Sequence, residues 1–456
     1  MQRTLLFKIL AILGLTLLIC IPLFMIQNTI AERTQFRQAA VDSIAADSVR
    51  AQTIAGPVLV IRYTDEYDEQ IEVADGIGKR KENVVRSVRR KFLVFPNDLV
   101  MGSDIKTSRR YRGIHQVLVY DGQHAITGNF VLPVLNDLPR ASPGSRIRMG
   151  QPSVVLGVGD VRGIRNIPQI DWNGEQIEFQ QGTDLAAFDT GLHAKLKPMT
   201  LEQPASVVFS MKLGLDGIER QSFVPVGKNN KVTVKSDWPH PQFTGHFLPS
   251  ASDRTVDQNG FSATWQVSSL STTAQKRIRD QEGSALPSAS HPVVESFSIG
   301  FIEPVNVYSL AERATKYGLL FIALTFAAFF MFEIVKQLPI HPVQYTLVGL
   351  ALVLFFLLLV SLSEHVAFVL AYLIASAACI ALLGFYLSYV LRSWTRGVAF
   401  AMGLTALYGA LYGLLISESN ALVLGSILLF AMLSAVMVAT RKIDWYSIGK
   451  PASVPA

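Results

Sequence analysis

The sequence predicts an α-helical integral membrane protein with six transmembrane helices and one large all-β, sandwich-like domain held outside the cytoplasm. Three observations predict it. First, one apolar segment lies near the N-terminus and five crowd the last third, each close to the roughly 20 residues that cross a bilayer core about 30 Å thick. Second, the long polar stretch between them alternates apolar and polar residues, the period of strands with one face buried. Third, the loop charges sort by side.

The first span covers residues 9–26, behind Arg3 and Lys8. A cleavable signal peptide is the rival, but its apolar region is usually shorter and ends in a small-residue cleavage site. Here the run continues through Cys20, Pro22 and Phe24 to Ile26 with no such site, and Ile19 spoils a lipoprotein signature. An uncleaved signal anchor is expected. In residues 31–49, Phe36, Ala39, Ala40, Ile44 and Ala45 recur at helical spacing, so the helix is expected to continue beyond the membrane. From Pro57 to Pro304 the signals are strands: Val207, Phe209, Met211 and Leu213 alternate with polar or small neighbours, as do Phe261, Ala263, Trp265 and Val267, and Phe297, Ile299 and Phe301. Asp121-Gly122, Asn173-Gly174, Asp216-Gly217 and Asn259-Gly260 read as turns. One large sandwich or two packed β subdomains both satisfy this pattern.

The later spans cover residues 317–335, 346–362, 366–391, 397–416 and 421–439, joined by loops short enough to demand antiparallel neighbours. An N-terminus inside puts Arg3, Lys8, Lys336, Arg392, Arg396, Arg441 and Lys442 on the cytoplasmic side, and leaves Glu364, His365 and Glu418 in outer loops free of Lys and Arg. That asymmetry is the positive-inside pattern. Gly403, Gly409, Gly413 and Gly425, with Ala401, Ala406 and Ala410, are expected to let helices approach closely. The chain thus divides into 1–30 (cytoplasmic end and anchor), 31–316 (β-rich domain with its leading helix), 317–440 (five-helix membrane domain) and 441–456 (cytoplasmic tail, disordered after Lys450).

Composition narrows the function classes. Charged residues make up 17% of the 456, below the roughly 25% of soluble proteins, and the deficit sits in the apolar third. A net charge of +6 fits membrane anchoring better than nucleic acid, which is excluded as a partner. The two cysteines, Cys20 and Cys379, fall in spans and read as apolar filler, so the β domain holds neither a disulfide nor a thiolate metal site. No phosphate-binding loop, zinc-protease helix or nucleophile elbow occurs, and no catalytic, metal or cofactor-binding residue is assigned.

Five constellations remain to be weighed. Asp237 and His240 could form an acid–base pair on the Pro-rich stretch 236–243; the plainer account is a strand crossover in which Trp238 and Phe243 fill the core. His240 and His246 have no standard ligand spacing. Asp160 and Arg162 in the turn 158–163 could hold a ligand, but capping that turn is the default. Lys79, Arg80, Lys81, Arg86, Arg89, Arg90 and Lys91, then Arg109, Arg110 and Arg112, form a basic region suited to anionic headgroups or an acidic partner, or simply to a solvated sheet face. Glu333, Glu364, His365 and Glu418 belong to or border the spans, where ionisable groups suggest function, although all lie near interfaces.

Several strings resemble the inner membrane protein CreD family, also described as a cell envelope integrity or colicin E2 tolerance family. They are Ala314-Thr315-Lys316-Tyr317 with Ile322-Ala323-Leu324-Thr325-Phe326, His341-Pro342-Val343-Gln344-Tyr345, Leu362-Ser363-Glu364-His365, and the closing stretch from Thr440 through Ile443-Asp444-Trp445-Tyr446-Ser447. The strings 158–163, 236–243 and Phe247-Leu248-Pro249 join them. The resemblance implies a Gram-negative inner membrane, a periplasmic β domain, and a part in envelope stress, colicin tolerance and β-lactam response, often under a two-component regulator. It carries over no catalytic residue. The reading is a non-enzymatic protein whose periplasmic domain binds a periplasmic or membrane protein partner or anionic lipid headgroups. A transporter or lipid-handling protein working through the C-terminal helices is the alternative, and an envelope-modifying enzyme using Asp237 and His240 the second.

Overall fold

The computed structural model describes residues 2–75, 78–113, 115–283, 294–301, 303, 307–336, 340–417 and 421–441. The chain divides into two compact units, Met1–Gln38 with Val305–Ala456, and Ala39–Pro304. The closing Ile443–Ser447 motif, the tail beyond Lys450, Lys442 and Glu418 lie outside the described residues.

The anchor and the stretch after it form one helix, α1 (Gln2–Asp47). Helix α2 (Ala274–Gly283) belongs to the β unit, and the remaining helices follow it: α3 (Val307–Lys316), α4 (Gly318–Lys336), α5 (Pro342–Ser363), α6 (Phe368–Val390), α7 (Trp394–Ile416) and α8 (Ala421–Thr440). By length and composition α1, α5, α6 and α7 can cross a membrane, and α3 with α4 makes a further candidate bent by 44°. The sequence places the start of that span at Tyr317. The helical structure begins ten residues earlier, because α3 mixes Glu312, Arg313 and Lys316 with a buried stripe of Tyr308, Ala311 and Ala314. Charged helices of this kind escape a search for apolar runs. The string His341-Pro342-Val343-Gln344 starts α5: Pro342 needs no amide partner at the first position, His341 Nδ1 accepts from Val343 N, and Gln344 Oε1 accepts from His341 N.

Aromatic rings fill the centre of the helical unit. Tyr408 lies 4.7 Å between centroids from both Phe321 and Phe355, and Tyr372 donates to the Tyr408 carbonyl at 2.7 Å. The close helix approaches fall at other glycines than those expected. Beside Gly403, Gly409 and Gly413 there is open space, and Gly403 borders an apolar crevice of about 360 Å³ between α4, α7 and α8. The tight contact is at Gly349 on α5, where an added Cβ would stand 1.9 Å from Ile19 of α1. Gly-rich composition marks where helices could touch; the side chain across the interface decides where they do.

In the β unit the strands are β1 (Gln52–Asp75), β2 (Gly78–Val94), β3 (Asp98–Arg112), β4 (His115–Val131), β5 (Arg146–Met149), β6 (Ser153–Val158), β7 (Gln169–Trp172), β8 (Glu175–Glu178) and β9 (Gln180–Gln181). Then come β10 (Gly191–Lys195), β11 (Ser206–Ile218), β12 (Arg220–Val224), β13 (Asn229–Ser236), β14 (Pro241–Gly245), β15 (Arg254–Asp257), β16 (Gly260–Ser268) and β17 (Phe297–Phe301). Among the described residues they form two sheets. One has the order β14-β17-β12-β1-β6-β10-β9, with β2 and β5 also on β1; the other runs β15-β16-β13-β3-β4-β11-β7-β8. Pairing is antiparallel except for β1 with β12 and β13 with β3. A single cluster of buried apolar side chains draws on both sheets, from Val58 and Phe223 in the first to Ile126 and Trp265 in the second.

The all-strand expectation for 57–304 misses α2, whose buried stripe is only Ala274 and Ile278. Two of the four turn signals are turns: Asn173-Gly174 joins β7 to β8, and Asn259-Gly260 joins β15 to β16. The other two lie inside strands, where Asp216 faces Asp121 and Gly217 faces Tyr120 across the β4–β11 ladder. The glycine there makes room: an added Cβ on Gly217 would sit 2.2 Å from the Tyr120 hydroxyl. That hydroxyl donates to the Arg220 carbonyl at 2.8 Å, so it cannot swing away freely. Gly217→Ala is expected to destabilise the β unit by about 1–3 kcal/mol through overpacking, seen as a lower unfolding midpoint that the double variant with Tyr120→Phe partly recovers.

Candidate functional site

In the helical unit each of two carboxylates is held by one cation from α1 and one tyrosine. Glu333, 5% exposed, pairs with the Lys8 ammonium and accepts from the Tyr345 hydroxyl at 2.8 Å. Glu364, at the end of α5, lies 3.6 Å from Arg33 Nε and accepts from the Tyr308 hydroxyl at 3.2 Å. His365 is exposed beside it. The sequence flags Lys8 and Glu333 separately but cannot join residues so far apart along the chain. An uncompensated buried charge is costly, whereas a pair removed together is not. Lys8→Met alone is therefore expected to destabilise the helical unit by about 3 kcal/mol, and Lys8→Met with Glu333→Gln by much less, in a double-variant cycle of thermal unfolding in detergent.

The β unit holds a Ser–His contact that the sequence does not reveal. Ser103 Oγ and His124 Nδ1 share a hydrogen bond of 2.8 Å between register partners on β3 and β4. Both side chains point into the core; His124 is 2% exposed, its ring stands edge-on to Phe223 at 6.1 Å, and Nε2 has no partner. A nucleophile so enclosed meets no substrate, and the pair is structural. Burial pushes the His124 pKa down to about 4. Between the unfolded value near 6.5 and that folded value, the unfolded chain binds more protons, so stability falls as pH drops through this window. The contribution is on the order of 3 kcal/mol between pH 6.5 and pH 4, where His124 is neutral when folded. His124→Phe is expected to flatten that part of the stability–pH curve, measured by denaturant unfolding across the window.

A basic cleft of about 740 Å³ opens on the surface formed by β1, β2 and β10. Register builds it. Arg62 faces Lys91, Thr64 faces Arg89, Val60 faces Ser153, and Ser153 faces Lys195. Cross-strand partners share a face and alternate residues return to it, so these residues line one side of the sheet. Arg62 donates to Ser153 Oγ at 2.7 Å and, through Nε and Nη2, to Asp184 Oδ2 at 3.2 and 2.8 Å. Lys91 Nζ lies 2.8 Å from Glu282 Oε1 and 2.6 Å from the Asp184 carbonyl oxygen. The hydrogen bonds from Arg62, with Lys91 nearby, hold the Asp184 carboxyl below the usual carboxylate range. Arg89 and Lys195 are exposed and make no ion pair among the described residues.

The sequence-derived candidates fall as follows. The basic stretch is strand β2, half of it opposite acidic β1: Arg86 pairs with Glu69 at 2.8 Å and Arg90 lies 3.5 Å from buried Asp65, while Arg89 and Lys91 line the cleft. Side chains at Lys79 and Arg80 lie outside the described residues. Arg109 reaches toward Glu303 at 3.4 Å, and Arg112 pairs with Asp47 at 2.6 Å. Asp160 accepts from Arg162 N and Nε, and Arg162 in turn donates to the Ala45 and Ala46 carbonyls, closing the last turn of α1. That turn is a cap. Asp237 accepts from the Thr107 amide and hydroxyl, each at 2.9 Å, while the His240 ring packs edge-on to Trp238. They form no acid–base pair; Trp238 is buried and Phe243 packs against the core. His246 is exposed, and no group able to hold a metal ion occurs among the described residues.

Apolar helices that can cross a bilayer, joined in one chain to a large two-sheet unit, define a multi-pass membrane protein with a substantial domain outside the lipid. The model of the family described as inner membrane protein CreD matches residues 4–446, and the chain belongs to that family. It is 35% identical over 453 residues to the inner membrane protein CreD of Escherichia coli (strain K12), covering 99% of this chain and 96% of that one. Among solved structures, an M1 zinc metallopeptidase of Deinococcus radiodurans is matched over 45% of this chain and 42% of its own, at 9% identity and a TM-score of 0.20, too slight a likeness to carry an argument.

Proposed function

We propose that this protein is a non-enzymatic guardian of the cell envelope, with a periplasmic β sandwich that binds an anionic partner and a six-helix membrane platform that carries it. The observation that carries this reading is the basic cleft of the β unit, where Arg89 and Lys195 make no ion pair among the described residues. Several features support the rest. Arg392 and Arg396 follow α6, and Lys8 precedes the apolar part of α1, the cytoplasmic charge bias of the positive-inside pattern. Helix α8 supplies the sixth span, and the shared core of the two sheets suits a sandwich. Family membership supports the envelope role, including tolerance to colicins and the response to β-lactams. Glu333 and Glu364 are already engaged by cations and tyrosines, which favours a platform over an ion-coupled transport path.

The test is complementation of an envelope-permeability or colicin-sensitivity phenotype in a deletion strain. The full chain, a chain ending after residue 304, and a full chain with Arg89→Gln and Lys195→Gln are compared at matched expression. Rescue by the shortened chain and loss of rescue by the cleft variant are expected. Rescue by the cleft variant together with failure of a stable shortened chain would move the function into the helices.

A further inference from the structure

We propose that the cleft takes a phosphate-bearing anion and that the Asp184 carboxylate holds its place until it arrives, an inference that rests on reading the β unit as the binding part. The place-holding is visible in the contacts. Arg62 directs Nε and Nη2 onto a single oxygen, Asp184 Oδ2, while Lys91 Nζ stands 3.6 Å from the other. A guanidinium offering two N–H groups beside an ammonium is the donor set that phosphoryl oxygens accept. Asp184 comes from the segment between β9 and β10, adopts a left-handed backbone (φ 52°), and is 65% exposed. An ion pair this exposed contributes little, so a ligand displaces it at small cost.

The charge balance selects the ligand. Asp184 and Glu282 answer Arg62 and Lys91, but Arg89 and Lys195 on the same face have no counter-charge among the described residues. A carboxylate taking the place of Asp184 would leave both unanswered. A phosphate group carries close to two negative charges at neutral pH, and exchanging it for Asp184 matches the surplus better. Thr64 and Gln151 bring hydroxyl and amide groups to the same opening, and about 740 Å³ accommodates a headgroup-sized molecule. Either a free phosphate compound or a lipid headgroup that ends in a phosphomonoester presents this chemistry. Displacement makes a sharper statement than simple attraction does: removing the acid should tighten binding.

The full chain in phosphatidylcholine nanodiscs is titrated calorimetrically with inorganic pyrophosphate, and tested for co-flotation with vesicles of phosphatidylcholine alone or with phosphatidic acid. Asp184→Asn is expected to tighten binding of the responding probe about fivefold, and Arg62→Gln with Lys91→Gln to weaken it at least about tenfold. Should that pair fail to fold, Arg89→Gln with Lys195→Gln, both exposed, reads the same loss. A response to pyrophosphate alone assigns a soluble phosphate, and a response to phosphatidic acid vesicles alone assigns a headgroup. Unchanged or weaker binding by Asp184→Asn, or no binding of either probe by wild type and Asp184→Asn, overturns the proposal. If cleft variants then still fail to complement, the β unit keeps its binding role and only the phosphate assignment falls.

Discussion

A carboxylate buried among membrane helices must be answered, and Glu333 is answered by Lys8 from the other end of the sequence. That requirement ties α1 to α4, and the Tyr345 hydroxyl ties α5 to the same oxygen pair. The arrangement recurs at Glu364, with Arg33 and Tyr308 in the same two roles. About 37 Å of helix separates Lys8 from Arg33 at 1.5 Å per residue, slightly more than a hydrocarbon core about 30 Å thick. Each cation therefore lies within reach of an interface, where its charge stays hydrated while its partner does not. The two ends of α1 within the helical unit are fixed by charge, and its middle by the contact of Ile19 against Gly349. An N-terminal helix that sequence reading treats as a mere anchor is an integral member of the bundle.

The division of labour between the units follows from how each satisfies its polar groups. In the helical unit Glu333 and Glu364 turn inward and pair, leaving apolar surfaces such as Leu13, Leu17 and Phe24 to lipid. In the β unit the interior is apolar with a few hydrogen-bonded exceptions, among them Gln52, which donates to the Asp160 and Asp216 carbonyls and accepts from Asp160 N. That glutamine joins the turn 158–163 to β11, so the family-like string there serves the frame of the β unit rather than a ligand. At the cleft, the charges left without an ion pair among the described residues are the cations Arg89 and Lys195.

Much of this was legible in the sequence and the rest was hidden for identifiable reasons. Apolar length gave the helices α5, α6 and α7 to within four residues at each end, because lipid imposes a one-dimensional criterion. Alternation gave β11, β16 and β17 because successive side chains of a strand point to opposite faces of its sheet. Helix α3 was hidden by its charges, α2 by its two-residue apolar stripe, and the strand interiors at Asp121-Gly122 and Asp216-Gly217 by turn-like composition, where Gly217 makes room for Tyr120 of the facing strand and Gly122 for the His124 ring. The string 236–243 was read correctly as a crossover because Trp238 and Phe243 had no other sensible destination than the core.

The cleft shows most clearly where local reading stops. The basic stretch was visible, but its fate depends on register. Residues on one face of β2 meet acidic β1 and are spent in pairs such as Arg86 with Glu69, while Arg89 and Lys91, alternating with them, reach the face that β6 and β10 complete. A shift of one residue in the β1–β2 pairing would send the opposite set to that face and bring Arg90 where Arg89 stands. Charge number is a property of composition; a binding surface is a property of register, and Lys195, more than a hundred residues from Arg89, belongs to the same surface only because β10 pairs β6 and β6 pairs β1. The cleft therefore rests on the strand order more than on any motif along the chain.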